Sequence, residues 1–152
     1  MELFQIDLTQ LLNNVVKLMV AFLLPLLTAY ERESESRSAG LRTFPLVAMA
    51  ACGFTMLGMS MFDDPNAQTR IISGVVTGIG FIGGGAILKS SKSVNGTSTA
   101  AAIWSTGAVG IAVGLGRIEI AVSLSVMTFI TFLFIGRVKR EVDSLEAEED
   151  KR

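Results

Sequence analysis

Residues 71–88, Ile-Ile-Ser-Gly-Val-Val-Thr-Gly-Ile-Gly-Phe-Ile-Gly-Gly-Gly-Ala-Ile-Leu, hold six glycines and no charged side chain. Within them, Gly78-Ile-Gly-Phe-Ile-Gly83 fits the pattern G-x-G-x-x-G. That pattern binds a dinucleotide when it lies between a strand and a soluble helix, with an acid about 20 residues on for the ribose. Here the next acid is Glu119, and apolar segments of membrane length flank the motif on both sides. The stretch therefore reads as a transmembrane helix whose glycines serve contact with neighbouring helices.

The rest of the chain agrees with that reading. Half of its 152 residues are apolar, 18% are charged, and mean hydropathy is +0.53. A soluble chain of this size buries roughly two thirds of its surface and carries about a quarter charged residues to cover the rest. From Phe44 to Gly136 the charged groups are Arg70, Lys89, Lys92, Arg117, Asp63, Asp64 and Glu119, all in or beside short gaps between apolar runs. Five apolar segments result: Leu11 to Tyr30, Phe44 to Phe62, Ile71 to Leu88, Ala100 to Leu115 and Ile118 to Gly136. Their lengths suit a hydrocarbon core that needs about 20 helical residues, the fourth being short. The expected fold is an all-α membrane protein: a bundle of five transmembrane helices over residues 1–136, then a short charged tail over 137–152. Residues 1–10 carry no Lys or Arg, unlike the start of a cleaved signal peptide, so the first segment is expected to stay in the membrane.

Basic residues set the orientation, because cytoplasmic loops retain them. The first loop has Arg32, Arg37 and Arg42, the third has Lys89 and Lys92, and the tail has five more. Arg70 and Arg117 fall in the second and fourth gaps, and Lys17 lies inside the first segment. An outside N-terminus and a cytoplasmic C-terminus put ten basic residues inside and two outside.

Composition also removes whole classes of chemistry. There is no His, and the one Cys, Cys52, lies in an apolar run. An imidazole acid or base, a Cys–His pair and the usual zinc sets are thereby excluded, and no enzyme is expected. Net charge is −1 and no basic stripe interleaves with aromatics, so no nucleic-acid partner is expected. No cofactor is indicated.

Small residues supply helix contacts in lipid, where no hydrophobic drive operates between helices. At about 100° per residue, Gly74, Gly78 and Gly85 share one side of the third segment, and Gly80, Gly83 and Gly84 another. A helix with two small sides is expected to be sandwiched between neighbours. Ala100, Gly107, Gly110 and Gly114 share one side of the fourth segment, the expected partner. The second reading is a helix broken at Gly83-Gly84-Gly85, whose freed carbonyls would line an ion path.

The charged edges carry two readings each. Asp64 is placed to cap the third helix, with Pro65 at its first position and Asp63 near its positive end. The same carboxylates would suit entry of a hard divalent cation. Glu31 directly follows the first segment and is placed to pair with Arg42, while Glu33 and Arg37 stand at i,i+4. Lys17 needs a partner or a function at its depth, and Glu119, at the same outer side, is the simplest partner for a buried pair. Thr97-Ser98-Thr99 offers caps for the fourth helix, and Asn95-Gly96-Thr97 reads as a turn. In the tail, Ile135, Val138, Val142 and Leu145 form a narrow apolar seam, a surface for self-association or a frayed helix end. No acid remains for the bilayer midplane, where Mg²⁺ would demand oxygen ligands.

Taken in order, the motifs resemble the MgtC/SapB family of membrane proteins. The matching residues are Glu31-Arg32; Ala39-Gly40-Leu41-Arg42-Thr43; Asp64-Pro65 with Arg70; Ser73-Gly74 followed by Gly78-Ile79-Gly80-Phe81-Ile82-Gly83 and Gly85; and Gly96 followed by Thr99-Ala100-Ala101-x-Ile103-Trp104. Pro25 in the first segment and Thr97 after Gly96 depart from the family pattern. The resemblance implies a multi-pass protein of the bacterial cytoplasmic membrane associated with magnesium homeostasis, with Mg²⁺ as ligand or substrate. It admits two mechanisms. In one, Asp63 and Asp64 attract cations outside, the third helix lines a path, and Glu31, Arg42 and Arg70 are gating residues; an oxygen-lined cavity beside Gly80 to Gly85 is expected. In the other, small-residue faces bind a second copy or another membrane protein, and an exposed glycine face is expected.

Overall fold

The computed structural model describes residues 7–35, 39–91 and 93–149, with side chains as far as residue 135 apart from 34 and 35. Expectations about Arg37, Lys92 and the seam beyond Ile135 lie outside these described side chains.

Helix α1 (Leu8–Leu23) starts where the Asp7 carboxylate accepts from the N–H groups of Thr9 at 2.8 Å and Gln10 at 3.3 Å. It breaks at Leu24 and Pro25 before α2 (Leu26–Glu35) continues. The single helix expected from Leu11 to Tyr30 is thus two. Pro25 has no N–H for the Ala21 carbonyl, and its ring clashes there. A hydroxyl on the last helix, Ser125, donates to the Leu24 carbonyl at 2.5 Å and ties the break to the bundle.

Just ahead of helix α3 (Thr43–Met61), the Glu33 carboxylate of α2 accepts from the Leu41 N–H at 3.0 Å. Helix α4 (Pro65–Gly85) is capped as expected: the Asp64 carboxylate accepts from Asn66 and Ala67 at 3.2 and 3.3 Å, and Pro65 holds the first position. It starts six residues before the expected segment and runs unbroken to Gly85, so the glycine triplet ends the helix rather than interrupting it.

The stretch after Gly85 turns away. Strands β1 (Leu88–Lys89) and β2 (Val94–Asn95) form a small antiparallel hairpin, with Leu88 opposite Asn95. Gly96 then adopts φ +87°, where an added Cβ would also strike the Ala86 carbonyl. Left-handed backbone and close approach together require glycine. Helix α5 (Thr97–Gly114) therefore begins from Gly96 with no side-chain cap, not from a cap within Thr97-Ser98-Thr99. Helix α6 (Ile118–Glu149) extends the fifth segment far into the tail.

Among the described residues, three helical stretches are long and apolar enough to cross a membrane by length and composition: Leu8–Glu33 across the kink, Thr43–Met61 and Ile118–Ile135. Helices α4 and α5, of 21 and 18 residues, have spanning length but are diluted by Gly, Ser and Thr.

Helix α5 sits at the centre, packed on α1, α3, α4 and α6. Its buried residues, among them Thr99, Ala102, Ile103, Gly107, Val109 and Ala112, cover more than half of its circumference at about 100° per residue and leave the side of Ala101 and Trp104 open. In α4 only Ile79 and Gly83 are buried. The sandwiched helix is the fourth segment, not the glycine-rich third.

Candidate functional site

The glycines separate into two groups. On α5, a Cβ at Gly110 would meet the Ala48 carbonyl of α3, and one at Gly114 would come within 2.7 Å of the Thr55 Cβ and 2.9 Å of the Cys52 carbonyl. Gly110-Ile-Ala-Val-Gly114 is thus a G-x-x-x-G contact that brings two helix backbones together. Gly107 receives the Ile79 side chain, and Gly83 faces the Ala100 carbonyl, where a Cβ would stand at 3.2 Å. Gly74, Gly78, Gly80, Gly84 and Gly85 would meet nothing within 4 Å. The third segment thus meets the fourth through Gly83, whereas its Gly74, Gly78 and Gly85 side, expected to lie against a neighbour, is open. Gly107, Gly110 and Gly114 were placed on one side of their helix, and that side faces mainly α3.

The open side of α4 and the adjoining side of α3 bound a groove of about 930 Å³. Phe54, Leu57, Gly74, Gly78 and Phe81 line it, and Arg70 is the one charged residue on its wall. Phe81 is 85% exposed. Gly74-Val-Val-Thr-Gly78 repeats on this surface the spacing that α5 uses inside the bundle. The groove runs past Gly78 to Phe81 and Ile82 with apolar walls, in contrast to the oxygen lining that the transport reading expects beside Gly80 to Gly85.

The candidate charged residues do not converge. Asp63 is exposed, Asp64 is engaged at the start of α4, and Arg42 is exposed at the start of α3 without capping it. Glu31 is half-buried on α2, and the carboxylate that reaches the start of α3 is that of Glu33. No group of three or more Asp, Glu, Cys or His that could hold a metal ion forms among the described residues.

The expected Lys17–Glu119 pair is not formed. Half-buried Lys17 donates to the Gly114 carbonyl at 3.4 Å, and Glu119 pairs in solvent with the Arg117 guanidinium at 2.5 Å. The last carbonyls of a helix lack intrahelical partners and carry the negative end of its dipole, so α5 offers Lys17 a closer counter-charge than α6 does.

Arg32 is the residue that composition and spacing passed over. It is 7% exposed, donates to the Thr99 hydroxyl at 2.8 Å and stacks 5.0 Å from the centre of the Phe132 ring. A planar guanidinium can make that contact and that stacking at once. Counted as a loop charge, it instead joins α2, α5 and α6 at the cytoplasmic end of the expected topology. The available signal was its place beside Glu31 in the family motif.

This assembly defines a class: a helical membrane protein with a glycine-packed central helix and an open glycine face. Residues 18–141 match the model of the MgtC family, and the chain belongs to that family. It is 34% identical over 140 residues to Protein MgtC of Salmonella paratyphi A, covering 91% of this chain and 60% of that protein. Protein MgtC of Brucella abortus (strain 2308) is 42% identical over 99 residues, 65% of this chain and 41% of its own length. An uncharacterized Synechocystis protein is 40% identical over 118 residues, 78% of this chain and half of that protein. The chain thus spans only part of the length of these relatives. No solved structure matches.

Proposed function

We propose that the protein is a five-span protein of the bacterial cytoplasmic membrane, N-terminus outside and C-terminus cytoplasmic, that serves magnesium homeostasis by regulating another membrane protein. Family membership supports the magnesium assignment, and the loop distribution of Lys and Arg supports the orientation. The observation that carries the regulatory mechanism is the open Gly74-x-x-x-Gly78 surface beside the α3–α4 groove. In lipid such a surface lets a foreign helix approach closely enough for van der Waals contact to hold it. Conduction of Mg²⁺ would need several oxygen ligands for an ion that dehydrates reluctantly, and the walls beside α4 are carbon. The activity is binding rather than catalysis.

The test has two arms. Purified protein in proteoliposomes is expected to give no Mg²⁺ flux above empty vesicles. Replacing Gly74 and Gly78 by Leu is expected to abolish growth support under magnesium limitation while the protein still accumulates in the membrane. Flux by the wild type that is lost in Asp64→Asn would replace regulation with transport through the outer carboxylates.

A further inference from the structure

The break at Pro25 adjoins a small polar pocket between the middle of α5 and the first third of α6. Pro25, Thr28, Ser105, Thr106, Ser125 and Thr128 line it, and its volume is about 10 Å³. Five hydroxyls thus meet at one place inside the bundle. Three have protein partners: Ser125 donates to the Leu24 carbonyl at 2.5 Å, and Ser105 and Thr128 share a bond of 2.6 Å. Thr28 and Thr106 are 2% and 3% exposed, and neither hydroxyl bonds to another described residue.

A hydroxyl on a nearly buried residue that bonds no protein group is costly unless solvent supplies a partner, and two such hydroxyls share this pocket. The volume corresponds to about one water, and a buried water needs two to four polar partners, which this lining supplies. Immobilising one water costs less than leaving two hydroxyls unpaired. A monovalent cation would suit the oxygens but brings an uncompensated charge, since no carboxylate lines the pocket.

We propose that one structural water occupies this pocket, bonds to Thr28 and Thr106, and joins the broken first helix to α5 and α6. This site is independent of the α4 surface and of its regulatory role. The kink is then held on one side by Ser125 directly and on the other through solvent.

Thermal unfolding of the full chain in detergent tests this by sign. Thr28→Val and Thr106→Val keep the side-chain shape and remove a water partner, so each is expected to lower Tm by about 2–4 °C, while Thr106→Ser holds close to wild type. In a dry pocket the Val variants relieve an unpaired hydroxyl, and unchanged or raised Tm would overturn the proposal. Replacing NaCl by choline chloride is expected to leave Tm unchanged; a Na⁺-specific rise would make the occupant a cation. Should the Val variants not fold, X-ray radiolysis of the wild type in ¹⁸O water decides. Oxidation at buried Val109, which also lines the pocket, is expected beside an ordered water, and its absence while exposed Met61 is oxidised would overturn the site.

Discussion

Gly110 of α5 lies against the backbone carbonyl of Ala48 on α3, with no space for a β-carbon between them. Gly110→Ala must push two helix backbones apart, which costs about 1–3 kcal/mol. The expected result is a Tm lowered by about 3–10 °C, read by thermal unfolding in detergent. Gly78→Ala, with open space at its Cβ, is expected to hold or raise Tm, because Ala is favoured in a helix by up to about 1 kcal/mol. Equal losses at both positions would contradict the packing described.

Lys17 and Glu119 should be energetically independent. Lys17→Met removes the ammonium from the Gly114 carbonyl and is expected to cost about 1 kcal/mol. Glu119→Gln leaves Tm unchanged, since its partner Arg117 is in solvent. A double-mutant cycle is expected to give a coupling near zero; a sizeable coupling would restore the pair read from the sequence.

Arg32→Lys keeps the charge but loses the planar group that bonds Thr99 while stacking on Phe132. The expected loss is about 1–3 kcal/mol. Arg42→Lys, at an exposed position without a cap bond, is expected to change Tm little. The comparison is made by thermal unfolding of both variants under one condition.

Asp64 should act through hydrogen bonding rather than charge. Asp64→Ala is expected to cost about 1 kcal/mol and Asp64→Asn a few tenths, because Asn caps a helix as well as Asp does. Asp63, with no part in the cap, is expected to tolerate Ala. Equal damage from Asp64→Asn and Asp64→Ala, in Tm or in growth under magnesium limitation, would point to a charge-dependent role.

The helices and the Asp64–Pro65 start of α4 were legible because length, hydropathy and capping are local. The identity of the central helix was not. Counting glycines favoured α4, with six against three in α5. What places α5 inside is that Thr99, Ala102, Thr106 and Val113, on the side adjoining its glycines, are also small enough for burial and widen the buried arc past half the helix. Lys17 was matched to the nearest acid because side chains are visible in a sequence, whereas the free carbonyl at the end of α5 appears only once the helix end is located. Arg32 was hidden by its neighbours: in a run of mixed charge, nothing local tells which side chain turns inward. The hairpin between α4 and α5 was hidden because its strands are two residues each, so Leu88 reads as the end of an apolar run and the residues from Lys89 to Ser93 as an ordinary polar gap.

The two basic residues of the kinked first helix grip α5 at equal spacings. Lys17 and Arg32 are 15 residues apart, as are their partners Gly114 and Thr99, taken in the opposite direction. From Thr99 to Gly114, α5 is a rigid rod of about 22 Å at 1.5 Å per residue. It therefore works as a caliper set against the bend at Pro25. Opening or closing that bend changes the distance between the two anchors while the rod keeps its length, so one grip must let go before the angle can change.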